Sequence, residues 1–172
     1  MLSADAPIQR YHVSTDTMAK SGFHIRERLT LRSSGIHGKG VFAREWIPAE
    51  TRLIEYRGER LTTAEADARY PEEPSVSHHT FLFAIDDDIV IDAAFKGNMA
   101  RWINHSCEPN CDAVVENSRV FIESVRDIAP GEELMYDYNF ILDERHSPAA
   151  KRKYPCICGA PGCRGTILAK KR

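Results

Sequence analysis

Cysteine is missing from the first 106 residues, and acidic side chains are missing from the last 22. No apolar run approaches the roughly 20 residues that span a bilayer, and residues 1–22 are polar where a secretory leader would carry an apolar stretch. A disulfide framework needs oxidising conditions, so these absences favour an intracellular, reduced protein with no membrane segment. No internal repeat is present, and helical periodicity is scarce. The many short strand-like stretches exclude a βαβ array. Gly38-x-Gly40 lacks the third glycine and the helix of a dinucleotide fingerprint.

The cysteines that are present fall in two places. Cys107 and Cys111 lie in Cys107-Glu108-Pro109-Asn110-Cys111, and the other three form Cys156-x-Cys158-x4-Cys163. Clustered thiols in a reduced protein point to a metal, and zinc bound by four thiolates at about 2.3 Å suits them. The tail cluster supplies three ligands where a structural zinc needs four. Read from the residues alone, the fourth is open between Cys107 and Cys111, with His105 a further possibility.

At 172 residues and 42% hydrophobic composition, the chain is one domain with a real core. The formal net charge of −2 hides an asymmetry. Residues 1–150 carry 25 acidic and 16 basic side chains, whereas residues 151–172 carry seven basic and no acidic ones. An acidic body attracts a cationic partner and repels nucleic acid. The basic tail has two readings, a binding surface or compensation for a doubly negative zinc tetrathiolate.

Short strands dominate the expected organisation. Ile25 to Leu31 reads as a strand ending at Ser33-Ser34-Gly35, followed by a glycine turn into Val41-Phe42-Ala43. Thr51 to Leu61 reads as one further strand. Thr62 and Glu65 have the spacing of a capping box, so a short helix follows over Ala64 to Ala68 and ends at Pro71 and Pro74. His79 to Ile85 and Ile89 to Ile91 flank an acidic turn, Asp86-Asp87-Asp88. Asn98 to Ile103 reads as one or two helical turns. Ala113 to Glu116 and Arg119 to Val125 form a hairpin around Asn117-Ser118, and Pro130-Gly131 turns the chain into Glu133 to Tyr136. Period two places Tyr136 and Tyr138 on one face and Asp137 on the other.

Four motifs then occur in a telling order: Gly38-Lys39-Gly40, Glu55-Tyr56-Arg57-Gly58-Glu59, Arg101-Trp102-Ile103-Asn104-His105-Ser106-Cys107-Glu108-Pro109-Asn110 and Glu133-Leu134-Met135-Tyr136-Asp137-Tyr138. Together they resemble the SET-domain protein lysine methyltransferases, over about residues 29–168. Cys156-x-Cys158-x4-Cys163 resembles that family's post-SET motif. Tyr136 to Phe140 with Cys158 to Thr166 is most similar to the trithorax and COMPASS-like branch.

The resemblance implies an α+β, mainly β fold: a β-clip-like SET arrangement of short curved sheets with a C-terminal pseudoknot and a zinc-binding post-SET segment. It implies a catalytic domain 23–142 with a variable insert at about 62–94 and a post-SET tail 156–172, while residues 1–22, which lack periodicity, read as a flexible segment and 143–155 as a linker. The implied activity is methyl transfer from S-adenosylmethionine to a protein lysine. Gly38, Lys39, Gly40, Arg101, Asn104, His105 and Tyr138 are the implied cofactor-binding residues. Tyr138 is placed by the transferring methyl, Tyr136 at the position that tunes methyl number, and Tyr56 in the lysine channel. Cys107 joins Cys156, Cys158 and Cys163 on zinc, with Cys111 near enough to compete.

Chemistry gives these residue types a reason. Lysine has an unperturbed pKa near 10.4, and only its neutral amine can attack a methyl sulfonium; an aromatic-walled channel disfavours the charged form. Tyrosine hydroxyls can align the amine and make weak contacts to the methyl. A hydroxyl at Tyr136 favours mono- or dimethylation. The acidic insert residues Glu65, Asp67, Glu72, Glu73 and Asp86 to Asp88 suit a basic peptide such as a histone tail, and the branch implies an activating protein partner. The cysteine-rich segment that precedes many such domains is missing from residues 1–28. Cytoplasmic placement is expected of a prokaryotic chain, nuclear or chromatin-associated placement of a eukaryotic or host-delivered one. A SET-like module that binds basic peptides without turnover is the alternative, and a zinc-stabilised nucleic-acid module is a third reading that the acidic body disfavours.

Overall fold

The computed structural model describes residues 8–9, 25–71, 81–142 and 145–170. The expected flexible segment 1–22 apart from Ile8–Gln9, the acidic Glu72 and Glu73, Pro74, and the start of the strand expected at His79 lie outside the described residues. In chain order the elements are β1 (Ile8–Gln9), a 3₁₀ turn (Ile25–Arg28), β2 (Leu29–Ser33), β3 (Lys39–Ala43), β4 (Arg52–Tyr56), β5 (Glu59–Thr62) and α1 (Thr63–Arg69). There follow β6 (Leu82–Ala84), β7 (Ile89–Asp92), a second 3₁₀ turn (Met99–Trp102), β8 (Asn104–His105), β9 (Cys111–Glu116) and β10 (Arg119–Ser124). The last are β11 (Met135–Tyr136), β12 (Phe140–Ile141) and α2 (Pro148–Lys153).

The strands pair into small sheets ordered β2-β3, β4-β10-β9, β5-β7-β6, β11-β8 and β1-β12. All pairs are antiparallel except β11 with β8, which run parallel with Met135 opposite Asn104 and Tyr136 opposite His105. Val41, Ile47, Phe83, Ile103, Ile122, Ile128 and Leu134 are among the fully buried side chains of the main core. Phe140, Leu142, Ala150, Tyr154 and Leu168 form a separate small core that holds the tail.

Local sequence accounts for several elements. Thr62 Oγ1 accepts the Glu65 N–H at 3.2 Å, and Glu65 Oε2 accepts the Thr62 N–H at 2.8 Å, closing the capping box that starts α1. Asn117 (φ 50°) and Ser118 (φ 56°) both adopt left-handed backbone, the two-residue turn that joins β9 to β10 with matching strand twist. The Asp86 carboxylate accepts the Asp88 and Ile89 N–H groups and shapes the turn between β6 and β7.

Other expectations need correction. The strand expected over Ile25 to Leu31 begins only at Leu29, because Ile25–Arg28 winds into a 3₁₀ turn. The single strand expected over Thr51 to Leu61 is two strands in different sheets, β4 and β5, broken at Arg57-Gly58. Gly58 packs directly on the Asp92 carbonyl, where a Cβ would overlap that oxygen and lie 2.7 Å from the Ala93 nitrogen. Backbone cannot yield as a side chain can. Gly58→Ala is therefore expected to destabilise the fold by about 1–3 kcal/mol, read as a lower urea midpoint with an unchanged m-value. The segment expected as a linker contains α2, capped by the Ser147 hydroxyl on the Ala150 N–H and begun by Pro148.

Candidate active site

β8 and β11 bring two distant segments side by side, and this crossing places the chemistry-bearing residues. Asn110 is fully buried and locks it: its amide donates to the Glu133 carbonyl (2.8 Å), and its Oδ1 accepts the Met135 N–H (2.8 Å). Asn98 caps the 3₁₀ turn that precedes β8, with its Oδ1 accepting the Ala100 N–H. That turn directs Arg101 and Trp102 toward a cavity of about 370 Å³. Gly38, Lys39, Tyr56, Arg101, Asn104, Tyr136 and Tyr138, all singled out from sequence, line it together with His37, Phe81, Leu82, Trp102, Phe140 and Ile167. Gly40 and His105, also singled out, are not among the lining residues.

The aromatic wall is anchored by backbone carbonyls. The Tyr56 hydroxyl donates to Phe81 O (3.0 Å), and the Tyr138 hydroxyl to Ile103 O (2.9 Å). The Tyr136 and Tyr138 rings lie 4.9 Å apart at 50°. Burial pushes both the Tyr56 and Tyr138 hydroxyls above the usual phenol range, so each is a neutral donor at physiological pH. The Arg101 guanidinium donates to Ala93 O (2.9 Å) and stacks on Phe81 and Trp102, while Lys39 Nζ lies 5.1 Å from the Trp102 ring centre.

The glycine loop is tied to β8 by polar contacts. Asn104 Nδ2 donates to Lys39 O (3.0 Å) and to Glu133 Oε1 (2.7 Å), and Ser34 Oγ donates to the other Glu133 oxygen (2.9 Å). A Cβ at Gly40 would overlap Glu133 Oε1, so the need for glycine there comes from the Glu133 carboxylate. His105 is 5% exposed, and its Nδ1 accepts the Tyr138 N–H at 3.1 Å. Burial is the main cause that pushes its imidazole down to about 4, and the neutral ring sets the backbone from which Tyr138 projects.

The Sγ atoms of Cys107, Cys156, Cys158 and Cys163 all lie within 4.8 Å of one another, a set that could hold a metal ion. Cys107 and Cys156 are 3.7 Å apart. Backbone N–H groups point at the sulfurs, Arg164 at Cys107 (3.3 Å), Cys158 at Cys156 (3.4 Å) and Gly165 at Cys163 (3.4 Å). His105 is not part of the set; its Nε2 lies 3.4 Å from Cys107 Sγ. Cys111 is wholly buried at the start of β9, and burial pushes its thiol up to about 12. Between the two candidates for the fourth position, Cys107 is the one in the cluster.

The strand alternation expected over Tyr136 to Tyr138 does not apply, because β11 ends at Tyr136; Asp137, just beyond it, forms a two-bond ion pair with Arg164 (2.6 and 2.8 Å). Glu108 accepts the Gly162 N–H at 2.9 Å. These contacts clamp the tail beside β8 and bring Ile167 to the cavity. Sequence reasoning gave no role to Asn110, Glu133, Arg164, Phe81 or Ile167. For Arg164 and Glu133, the available signals were a lone basic residue amid the tail cysteines and an acid beside the tyrosine motif.

The SET domain family matches residues 38–139. Histone-lysine N-methyltransferase set1 of Dictyostelium discoideum is 43% identical over 149 residues, covering 83% of this chain and 9% of that protein. An H3 lysine-4 specific histone-lysine N-methyltransferase of Schizosaccharomyces pombe is 44% identical over 149 residues, 83% of this chain and 15% of its own length. Histone-lysine N-methyltransferase SETD1 of Drosophila melanogaster is 40% identical over 147 residues, 83% of this chain and 8% of its own. The chain thus spans a small part of the curated relatives it matches. The family match takes in both crossing strands and the tyrosines that wall the cavity, and the chain belongs to the SET-domain family.

Proposed function

We propose that this chain transfers methyl groups from S-adenosylmethionine to a lysine side chain of a basic protein, with a histone tail as the substrate class. The observation that carries the reading is the cavity itself, where the buried Tyr56 and Tyr136 and the partly buried Tyr138 share one space with Asn104 and the Gly38 loop. Its volume lies in the range of small-molecule sites, roughly 300–1,000 Å³. The names of the relatives supply the histone and, for one of those described, lysine 4 of H3. No helix among the described residues is long and apolar enough to cross a membrane.

The residues fit this cofactor. Gly38, Lys39, Arg101 and Asn104 would hold it from the cavity wall, with Gly40 and His105 shaping the backbone behind them and Tyr138 at the reacting end. When bound, it supplies an electrophilic methyl on a sulfonium centre. Tyr56, Tyr136 and Tyr138 exclude water and disfavour a charged ammonium, so that lysine approaches as the neutral amine. Tyr138 keeps its proton and orients rather than acting as base; the proton leaves to water before transfer. Holding amine and methyl in line is the main contribution of the site.

The sulfur cluster fits zinc. A Zn–S bond of about 2.3 Å puts tetrahedral sulfurs about 3.8 Å apart, close to the 3.7 Å between Cys107 and Cys156. Zinc on Cys107, Cys156, Cys158 and Cys163 would pin the post-SET tail, with the backbone N–H groups above as its outer support. An activating protein partner and an intracellular location belong to the same proposal. Direct nucleic-acid binding does not, given the acidic body.

The test is incubation of the purified chain with labelled cofactor and recombinant histones, followed by mass spectrometry. Lysine labelling is expected. Mono- and dimethyllysine should accumulate, because the Tyr136 hydroxyl restricts the space for further methyl groups; efficient trimethylation would refute that part. Cofactor binding without any transfer would favour the non-catalytic peptide-binding alternative.

A further inference from the structure

We propose that Glu133 is a positioning residue that fixes the orientation of the Asn104 amide, so that Asn104 Oδ1 faces the cavity as an acceptor for the ammonium of the cofactor's amino-acid portion. This rests on the cofactor reading above. An asparagine amide can occupy a site in two orientations related by a half turn, and its neighbours decide between them. Both Asn104 Nδ2 hydrogens are taken by protein acceptors, Lys39 O at 3.0 Å and Glu133 Oε1 at 2.7 Å. No hydrogen bond among the described residues reaches Asn104 Oδ1, although Asn104 is buried and lines the cavity.

The carbonyl of Lys39 and an ionised carboxylate are acceptors only. The reversed amide would set oxygen against oxygen at both places and leave its NH₂ toward the cavity, where it would repel an ammonium. A carboxylate enforces this choice; a glutamine would not, because its amide can accept from Asn104 Nδ2 in one orientation or donate to Oδ1 in the other.

Glu133 is itself held from several sides. Its second oxygen accepts from Ser34 Oγ (2.9 Å), its backbone carbonyl accepts from Asn110 (2.8 Å), and the missing side chain of Gly40 leaves room for its carboxylate. The glycine loop, the β8 asparagine and the tyrosine strand therefore share one acid, and that acid sets which atom Asn104 shows to the ligand.

The experiment measures binding of S-adenosylhomocysteine and of its analogue lacking the α-amino group by calorimetry, with melting temperatures for each protein. Wild type should prefer the amino form by about tenfold or more. Glu133→Gln should reduce that preference to about threefold, the loss falling on the amino form, and Ser34→Ala should reduce it partially. If Glu133→Gln unfolds, Ser34→Ala carries the comparison, since it removes only one of the contacts on the carboxylate. A preference unchanged in folded variants overturns the role of Glu133 alone. Failure of wild type to bind either compound overturns the cofactor reading and this inference with it.

Discussion

Replacing Tyr138 by phenylalanine is expected to lower the rate of methyl transfer by about 10²-fold or more, with cofactor affinity nearly unchanged. The hydroxyl is held at 2.9 Å from the Ile103 carbonyl, and the backbone beneath it is fixed by the His105 ring, so the group arrives oriented before any substrate does. Removing it leaves Ile103 O without its donor at the reacting end of the cavity. The ring remains, packed against Tyr136 and His105, so stability should change little.

The pH dependence separates orientation from base catalysis. Burial raises the Tyr138 hydroxyl above its ordinary range, and a group with a raised pKa stays protonated at every lower pH. The rate should therefore rise with pH as the substrate lysine loses its proton, without an inflection from Tyr138. Tyr138→Phe should show the same inflection at a lower plateau. A variant that lost the inflection would restore Tyr138 as the base and refute this account.

Stripping the metal, or replacing Cys156 by serine, should lower activity to about 1% of wild type or less and release the tail. Only Cys107 among the clustered thiols comes from outside the tail, so the metal would be the strongest link between residues 156–163 and β8. Without it, the sulfurs lose their shared cation. The Asp137–Arg164 pair, the Glu108–Gly162 hydrogen bond, the bridge between Phe140 and Leu168 and the small core around Tyr154 are then left to hold the segment. A two-bond ion pair contributes about 1.5–3 kcal/mol, far less than the apparent 10–16 kcal/mol of a structural zinc in small peptides. Ile167 would leave the cavity wall, admitting water. Metal content, activity and hydrogen exchange over residues 154–168 check this together. Cys111→Ala is the control, since Cys111 sits in the core and its loss should leave the metal content intact.

The legible parts of this molecule were those whose causes are local. The Thr62/Glu65 box, the Asn117-Ser118 turn and the Asp86 turn each need only a few neighbouring residues, and all are present in the structure. The Ser147-Pro148 start of α2 is equally local, but polar residues surround it and mask the signal. The break at Gly58 could not be read locally, because its reason is the Asp92 carbonyl more than 30 residues away. Much of the candidate site was recognisable because its residues sit in four contiguous motifs. The roles of Glu133 and Arg164 are not legible in their own motifs, because their partners, Ser34, Asn104 and Asp137, come from elsewhere in the chain.

The crossing of β8 and β11, with the tail folded back over it, also bears on where this protein can be cut. The family match ends at Asn139, yet Phe140 and Ile167 line the cavity and Cys156, Cys158 and Cys163 lie beyond it. A recombinant fragment trimmed to the matched region would retain the main core and Tyr136 and Tyr138, while one wall of their chamber stood open to solvent. Domain boundaries drawn by sequence similarity and by catalytic completeness therefore differ in this chain by nearly 30 residues.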